Sequence, residues 1–264
     1  MKYFDTHTHT NYEPLAEQFD EILKVLEEKE MGINIVGCDI EGSYLAIKQA
    51  KQSPLLYCSI AIHPESAHKI LDLKQTIDEL ESMYLANKSK VICIGECGLD
   101  YSYEFITDEI KLKQKEVFLA HIHLAHKYNL PVMMHIRDAH DDASNIIKEH
   151  LHLNLTWIVH CFSSNVDDAK RYIDMGCYIS IPGIITFKNA QYLRDALKVI
   201  PKHLLLTETD APWLTPVPFR GKLNYPYYVI YTNEFIAKEL NYNLDEFNQQ
   251  LMDNAIHALK LYKN

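Results

Sequence analysis

The chain is 264 residues long, 47% hydrophobic and 23% charged, the proportions of a soluble globular protein with a sizeable core. No stretch approaches the roughly 18 consecutive apolar residues of a membrane span, and the amino terminus lacks the charged-then-apolar pattern of a secretory signal, so a cytoplasmic location is expected. A formal net charge of −10 argues against broad gripping of duplex nucleic acid, whose affinity comes largely from Lys and Arg on phosphates.

The first strand runs through Tyr3, Phe4 and Asp5 and ends at His7 and His9, which share one face because side chains alternate along a strand. Phe19, Ile22, Leu23 and Leu26 have helical spacing, closed by Met31-Gly32 before a second strand over 33–36. A helix over about 43–52 leads to a third strand over 55–62, followed by His63 and Pro64. Leu73, Ile77, Leu80 and Tyr84 mark the next helix. Val91 to Gly95 is a continuous apolar run, as in a strand buried on both faces, and it ends at Glu96. A long helix through Ile110, Val117, Ala120 and Leu124 stops at Asn129-Leu130-Pro131, before a fifth strand ending in His135.

Residues 138–148 read as helix, and Trp157-Ile158-Val159 is a sixth strand ending at His160. A helix over 169–175, closed by Gly176, precedes a seventh strand over 178–181. A helix near 190–199 precedes Leu204-Leu205-Leu206, the eighth strand, which leads into Glu208-Thr209-Asp210. The proline-rich stretch 212–226 is expected to be a rim loop, because long loops in compact domains tend to be functional or disordered. Helices over about 227–240 and 244–261 finish the chain, the last capped by Asn243 with Glu246.

Eight apolar strands alternating with amphipathic helices predict a (β/α)₈ TIM-type barrel, a single α/β domain over residues 1–264 with its site at the strands' carboxyl ends. No Gly-x-Gly-x-x-Gly follows any strand, which disfavours an open dinucleotide-binding sheet. Of the other His-x-His pairs, His121 and His123 face opposite sides of a helix and are expected to be incidental, and His150 and His152 to be solvated loop residues. The six cysteines are scattered singly and are expected to be buried free thiols.

Six metal-competent side chains thus converge on one rim: His7, His9, Glu96, His135, His160 and Asp210. Four imidazoles and two carboxylates suit two ions sharing ligands, with Glu96 as the bridge: His7, His9, Glu96 and Asp210 around one, Glu96, His135 and His160 around the other. Imidazole-rich ligation favours Zn²⁺, Mn²⁺ or Fe²⁺ over Mg²⁺.

Taken together, FDTHTH at 4–9, IHPE at 62–65, GECGLDYSYEF at 95–105, HIRDAHDD at 135–142, VHCFS at 159–163, GIITFKNA at 183–190, TETDAPWL at 207–214 and PFRGKLN at 218–224 resemble the TatD-like deoxyribonucleases of the metal-dependent hydrolase superfamily. The resemblance covers nearly the whole chain. It implies a TIM-like barrel, two divalent cations (Mg²⁺, Mn²⁺ or Zn²⁺) and hydrolysis of phosphodiester bonds in DNA, with metal ligands at those same six positions. Two departures bear on substrate choice: Glu65 stands where relatives commonly carry a second histidine, and Tyr225 where they carry glutamate.

The expected reaction is a 3′-to-5′ exodeoxyribonuclease cleavage of single-stranded or frayed DNA by a water activated between two cations. Asp210 would ligate one ion and take the water's proton, Glu96 would bridge, and Glu208 could orient a ligand from behind. His63, Arg137, Lys188, Arg220 and Lys222 are candidates for holding phosphate, and Tyr101, Tyr103 and Trp213 for stacking on bases. The competing readings are a metal-dependent hydrolase of another bond (small phosphoester, amide or lactone) on the same barrel, or a non-catalytic metal-binding module. Two-metal amide hydrolases of this type often bridge their ions with a modified lysine after strand four, where this chain has Glu96.

Overall fold

The computed structural model describes residues 1–261. Eight parallel strands pair in chain order: β1 (Tyr3–Thr8), β2 (Met31–Val36), β3 (Leu56–Ile60), β4 (Val91–Asp100), β5 (Val132–Arg137), β6 (Trp157–Val159), β7 (Tyr178–Ile181) and β8 (Leu205–Thr207). Thr8 bridges to Ala211 just beyond β8, which brings the two ends of the sheet together, so the expected (β/α)₈ barrel is the fold. Around it lie α1 (Phe19–Glu28), α2 (Ile40–Ala50), α3 (Leu73–Ala86), α4 (Asp108–Tyr128), α5 (His140–His150), α6 (Val166–Asp174), α7 (Gln191–Leu197), α8 (Val229–Glu239) and α9 (Leu244–Leu259).

Local chemistry sets many of the boundaries. Asp39, Asp72, Thr107, Asn165 and Asn243 each accept a backbone N–H in the first turn of the following helix. Asn129 ends α4 at φ 53°, a left-handed conformation that asparagine tolerates. Inside the barrel, Phe4, Ile92, Met133, Ile158 and Leu206 pack together, and Met252, Ala255 and Leu259 of α9 join the same cluster. Asn254 of α9 is tied to it by donating to the carbonyls of Lys202 and Leu205.

Some boundaries differ from the sequence reading. Met31 and Gly32 belong to β2, and the chain turns earlier, where Glu30 takes φ 52°. Helix α2 starts at Ile40 because Asp39 caps it. Strand β4 does not end at Glu96 but continues to Asp100, and β5 continues past His135 to Arg137, each pairing with the other along that extension. The stretch 212–225 carries no helix or strand, and a single 3₁₀ turn over Pro226–Tyr228 follows. Among the described residues no helix is long and apolar enough to cross a membrane.

Candidate metal centre

Two irregularities in the sheet aim the site. In β1 the register slips between Asp5 and Thr8, so that Phe4 and His7, an odd number of residues apart, both reach the interior. Phe4 packs with Met133, and His7 Nδ1 lies 3.1 Å from Met133 Sδ. In β4 the register slips between Ile94 and Cys97, around Glu96. The glycines beside it permit the close approach of β5: a Cβ on Gly95 would meet Met133 Cβ and O at 2.6 Å, and one on Gly98 would collide with His135 O. Asp210 is positioned from behind by Asp5, whose carboxylate accepts the Thr209 backbone N–H at 2.8 Å, and by the Asp210 N–H donating to His7 O at 3.0 Å.

Glu96 stands at the centre. Its Oε2 lies 2.8 Å from His160 Nε2, 3.4 Å from His135 Nδ1 and 3.8 Å from His7 Nε2, while its Oε1 lies 3.6 Å from His9 Nε2 and 4.0 Å from His63 Nε2. Asp210 Oδ1 is 3.4 Å from His9 Nε2 and 3.7 Å from His7 Nε2. The structure thus brings all six sequence candidates together. The two groupings are less separate than the sequence suggested. His160 stands with His7 and Asp210, its ring stacked on His7 at 3.8 Å, as well as with Glu96 and His135.

The outward-facing nitrogens fit the residues to divalent cations. His9 Nδ1 lies 3.1 Å from Val36 O, His160 Nδ1 3.2 Å from Glu208 Oε1, and His135 Nε2 2.9 Å from Asp100 Oδ2; His7 Nδ1 has the weak acceptor Met133 Sδ. A neutral imidazole donating outward to such an acceptor leaves the lone pair of its other nitrogen facing the centre, which is what a metal ligand requires. His63 is wired the opposite way. Its Nδ1 accepts the Glu65 backbone N–H at 3.1 Å, so the proton of the neutral ring sits on Nε2 and faces Glu96, the arrangement of a hydrogen-bond donor.

The charges of the cluster are strongly coupled. Burial opposes ionisation of Glu96, yet His160, His63 and His7 hold its carboxyl well below the usual range. Burial likewise disfavours charge on His160, but Glu96 and Glu208 raise it well above an ordinary imidazole. Burial, with His160 beside it, pushes His7 well below. Burial takes His63 down to about 3. A buried carboxylate that draws a proton onto its nearest imidazole is a place where the protein field calls for positive charge.

An open cavity of about 730 Å³ leads to this cluster. Its wall includes His63, Arg137, Tyr103 and Trp213 from the sequence candidates, but not Lys188, Arg220 or Lys222. Lys188 is exposed, Arg220 lies 4.2 Å over the Phe187 ring, and Lys222 lies over Phe219. Tyr101 is also outside the wall, its hydroxyl donating to Asp142 at 2.7 Å. Sequence reasoning missed Asp100, whose signal was two-residue parity with Glu96 along a strand longer than expected.

Two of the cysteines are not buried as expected. Cys38 and Cys161 are half-buried and line the cavity, Cys38 Sγ donating to Glu96 Oε1 at 3.3 Å. His121 is not incidental either. It is fully buried, its Nδ1 2.7 Å from Val117 O and its Nε2 accepting the Ile62 N–H at 3.0 Å, one residue before His63.

Residues 4–260 match the family described as TatD related DNase. The chain belongs to that family. An uncharacterized metal-dependent hydrolase of Mycoplasma genitalium is 40% identical over 261 residues, covering 97% of this chain and 98% of the relative. Another from Bacillus subtilis, YabD, is 37% identical over 260 residues, covering 98% and 99%. Among solved structures, YJJV, a TatD homolog from Escherichia coli, superposes with a TM-score of 0.87 at 26% identity, covering 97% of this chain and 96% of that one. A TatD family hydrolase from Entamoeba histolytica shares the fold, with a TM-score of 0.86 at 22% identity over 97% of both chains.

Proposed function

We propose that this TatD family member is a divalent-metal-dependent hydrolase of phosphodiester bonds in DNA, removing nucleotides from exposed 3′ ends. His7, His9, Glu96, His135, His160 and Asp210 would hold two cations, with Mg²⁺, Mn²⁺ and Zn²⁺ the candidates, and Glu96 and Asp210 would be the catalytic carboxylates. The observation that carries the reading is Glu96, whose two oxygens face different imidazoles at the foot of an open cavity. The description of the matching family as a DNase supports DNA as the substrate. A chain of net charge −10 fits short or frayed single-stranded ends better than long duplex, and a cytoplasmic location fits such a role.

Divalent cations at such a site supply Lewis-acid charge, which acidifies water and stabilises developing charge on phosphate oxygens. The chain's own residues do the rest. Asp210, half-buried with Oδ1 toward His7 and His9, accepts the proton of the attacking water. His63 presents its Nε2 proton toward the centre, where it can bind a non-bridging phosphate oxygen. Arg137, in the wall, adds a guanidinium suited to a second phosphate oxygen. Asp100 and Glu208 hold the rings of His135 and His160 so that no rotation is needed when substrate arrives.

The test is an assay of chelator-treated protein on end-labelled single-stranded DNA, duplex DNA, RNA and a generic phosphodiester, with Mg²⁺, Mn²⁺ and Zn²⁺ restored in turn. A ladder of products shortened from the 3′ end of single-stranded DNA, returning only with cation, supports the proposal. Inactivity on every phosphodiester with all three metals would refute it.

A further inference from the structure

Trp213 stands beside the metal centre with 55% of its surface exposed, whereas Trp157, the chain's other tryptophan, is 2% exposed. Its indole meets the His9 ring edge-on at 5.4 Å. The backbone under it is clamped. Its N–H donates to Asp210 O at 3.0 Å, and its carbonyl accepts from the side-chain amide of Asn224, which is fully buried and also donates to Thr209 O at 3.0 Å. Leu214 O lies where a Cβ on Gly183 would be, 2.5 Å away, so the next residue is seated against the chain after β7. A large apolar ring held on a fixed backbone yet turned to solvent contributes little to packing. It costs little conformational entropy when a flat ligand covers it.

The charges of the wall say what kind of contact is needed. Besides Glu96 and Asp210 the cavity carries Asp39, Glu65 and Asp100, against one guanidinium, Arg137. With one guanidinium in the wall, few phosphates away from the reacting one find a cationic partner, and additional affinity for a polynucleotide must come from its bases. Tyr103 supplies a second face, its ring stacked at 5.0 Å and 11° on Phe105. Tyr103 follows β4 and Trp213 follows β8, four strands apart in a ring of eight, so the chain delivers the two residues to the one cavity from opposite sides of the barrel.

We propose that Trp213 is a stacking platform for an unpaired base next to the hydrolysed phosphate, with Tyr103, backed by Phe105, receiving a base on the other side. This rests on the phosphodiester reading above and deepens it: the site selects single-stranded polynucleotide over duplex and over phosphodiesters without bases. In a duplex interior both faces of each base are already covered by neighbours, and neither ring can be used. Stacking on an aromatic ring is tolerant of sequence, so no base preference is expected.

Trp213 is its own reporter, because the emission of Trp157 is shielded from ligands by burial. Tryptophan fluorescence of the Ca²⁺-loaded protein should be titrated with hexathymidylate and with an abasic hexamer carrying the same phosphates. Hexathymidylate should quench the emission and bind roughly ten-fold or more tightly than the abasic chain. Because these variants lack the reporter, their affinities are read from the anisotropy of dye-labelled hexamers: Trp213→Ala should lose most of the preference for hexathymidylate, the remainder falling to Tyr103, and Trp213→Phe, which keeps a flat ring and guards against a folding defect, should retain most of it. Equal binding of both hexamers to the unaltered protein, with unchanged emission, would overturn this inference while leaving the phosphodiester reading intact. If neither hexamer binds or is cut with any cation, both readings fall.

Discussion

Glu96 Oε2 lies 2.8 Å from His160 Nε2 while Glu96 Oε1 faces His9, so one carboxylate links the two halves of the ligand set. If it bridges two cations, its neutral isostere disturbs both. Glu96→Gln is expected to lose more bound metal than any other single ligand change, measured as ions per chain by native mass spectrometry. Two ions retained in Glu96→Gln alongside one lost in His135→Ala would exclude the bridge.

Asp100 and Glu208 hold the rings of His135 and His160 at 2.9 and 3.2 Å and would act through them on a cation that those rings bind. Asp100→Asn and Glu208→Gln keep the shape but weaken the acceptor, and metal affinity should fall by roughly 10- to 100-fold in each. Competition with a chelating dye gives the constants. Unchanged affinity in both variants would mean that the outer bonds merely fill space.

The cations of the rim are not equivalent. Arg137 lines the cavity, whereas Arg220 is laid over Phe187 and Lys222 over Phe219. Arg137→Ala should raise KM on a short oligonucleotide by roughly three- to five-fold with a smaller effect on kcat, the scale of about 1 kcal/mol from a solvent-screened contact. The double change Arg220→Ala, Lys222→Ala should move KM by less than about two-fold. The reverse ranking would restore the rim loop as the phosphate guide.

His121 links stability to pH independently of metal. Burial lowers it from the ordinary 6.5 to about 4, the neutral ring being held between Val117 O and the Ile62 N–H. Because the folded value lies below the unfolded one, its contribution is complete above pH 6.5 and is lost as pH falls from 6.5 toward 4, amounting to about 3 kcal/mol over that window. Denaturant unfolding of chelator-treated protein should show at least that slope, since His7 and His63 are lowered as well, and His121→Gln should reduce it by about His121's share. Parallel slopes for the two proteins would show that other groups carry the acid sensitivity.

A single Arg in the cavity wall also sets the salt dependence. Binding of single-stranded DNA in Ca²⁺ should weaken with salt at a slope matching about one to three phosphates, against roughly six to ten for a duplex-gripping protein. A steep slope would mean that cations outside the cavity hold the substrate.

The barrel and the convergence of six candidate donors were legible because both depend on short-range periodicity. An apolar run followed by a polar ligand at its carboxyl end reads the same from sequence whether or not its neighbours are known, and eight such runs alternating with helices leave few topologies. Strand ends were less legible. Strands β4 and β5 sustain each other past Glu96 and His135, to Asp100 and Arg137, by pairing that neither segment reveals alone.

What the sequence determined by itself was therefore the ring of donors and its place in the fold. What only the tertiary structure decided was the state and direction of each donor. His63 and His9 are both histidines near strand ends, yet His9 donates outward to Val36 O and His63 accepts from Glu65 N, which turns a lone pair of the one and the proton of the other toward the centre. Likewise His121 is a strut, Cys38 and Cys161 wall a cavity, and Arg220 packs on a ring. The physical reason is that an imidazole's tautomer, a thiol's exposure and a guanidinium's partner depend on groups within a few ångströms, and many of those come from elements far away along the chain.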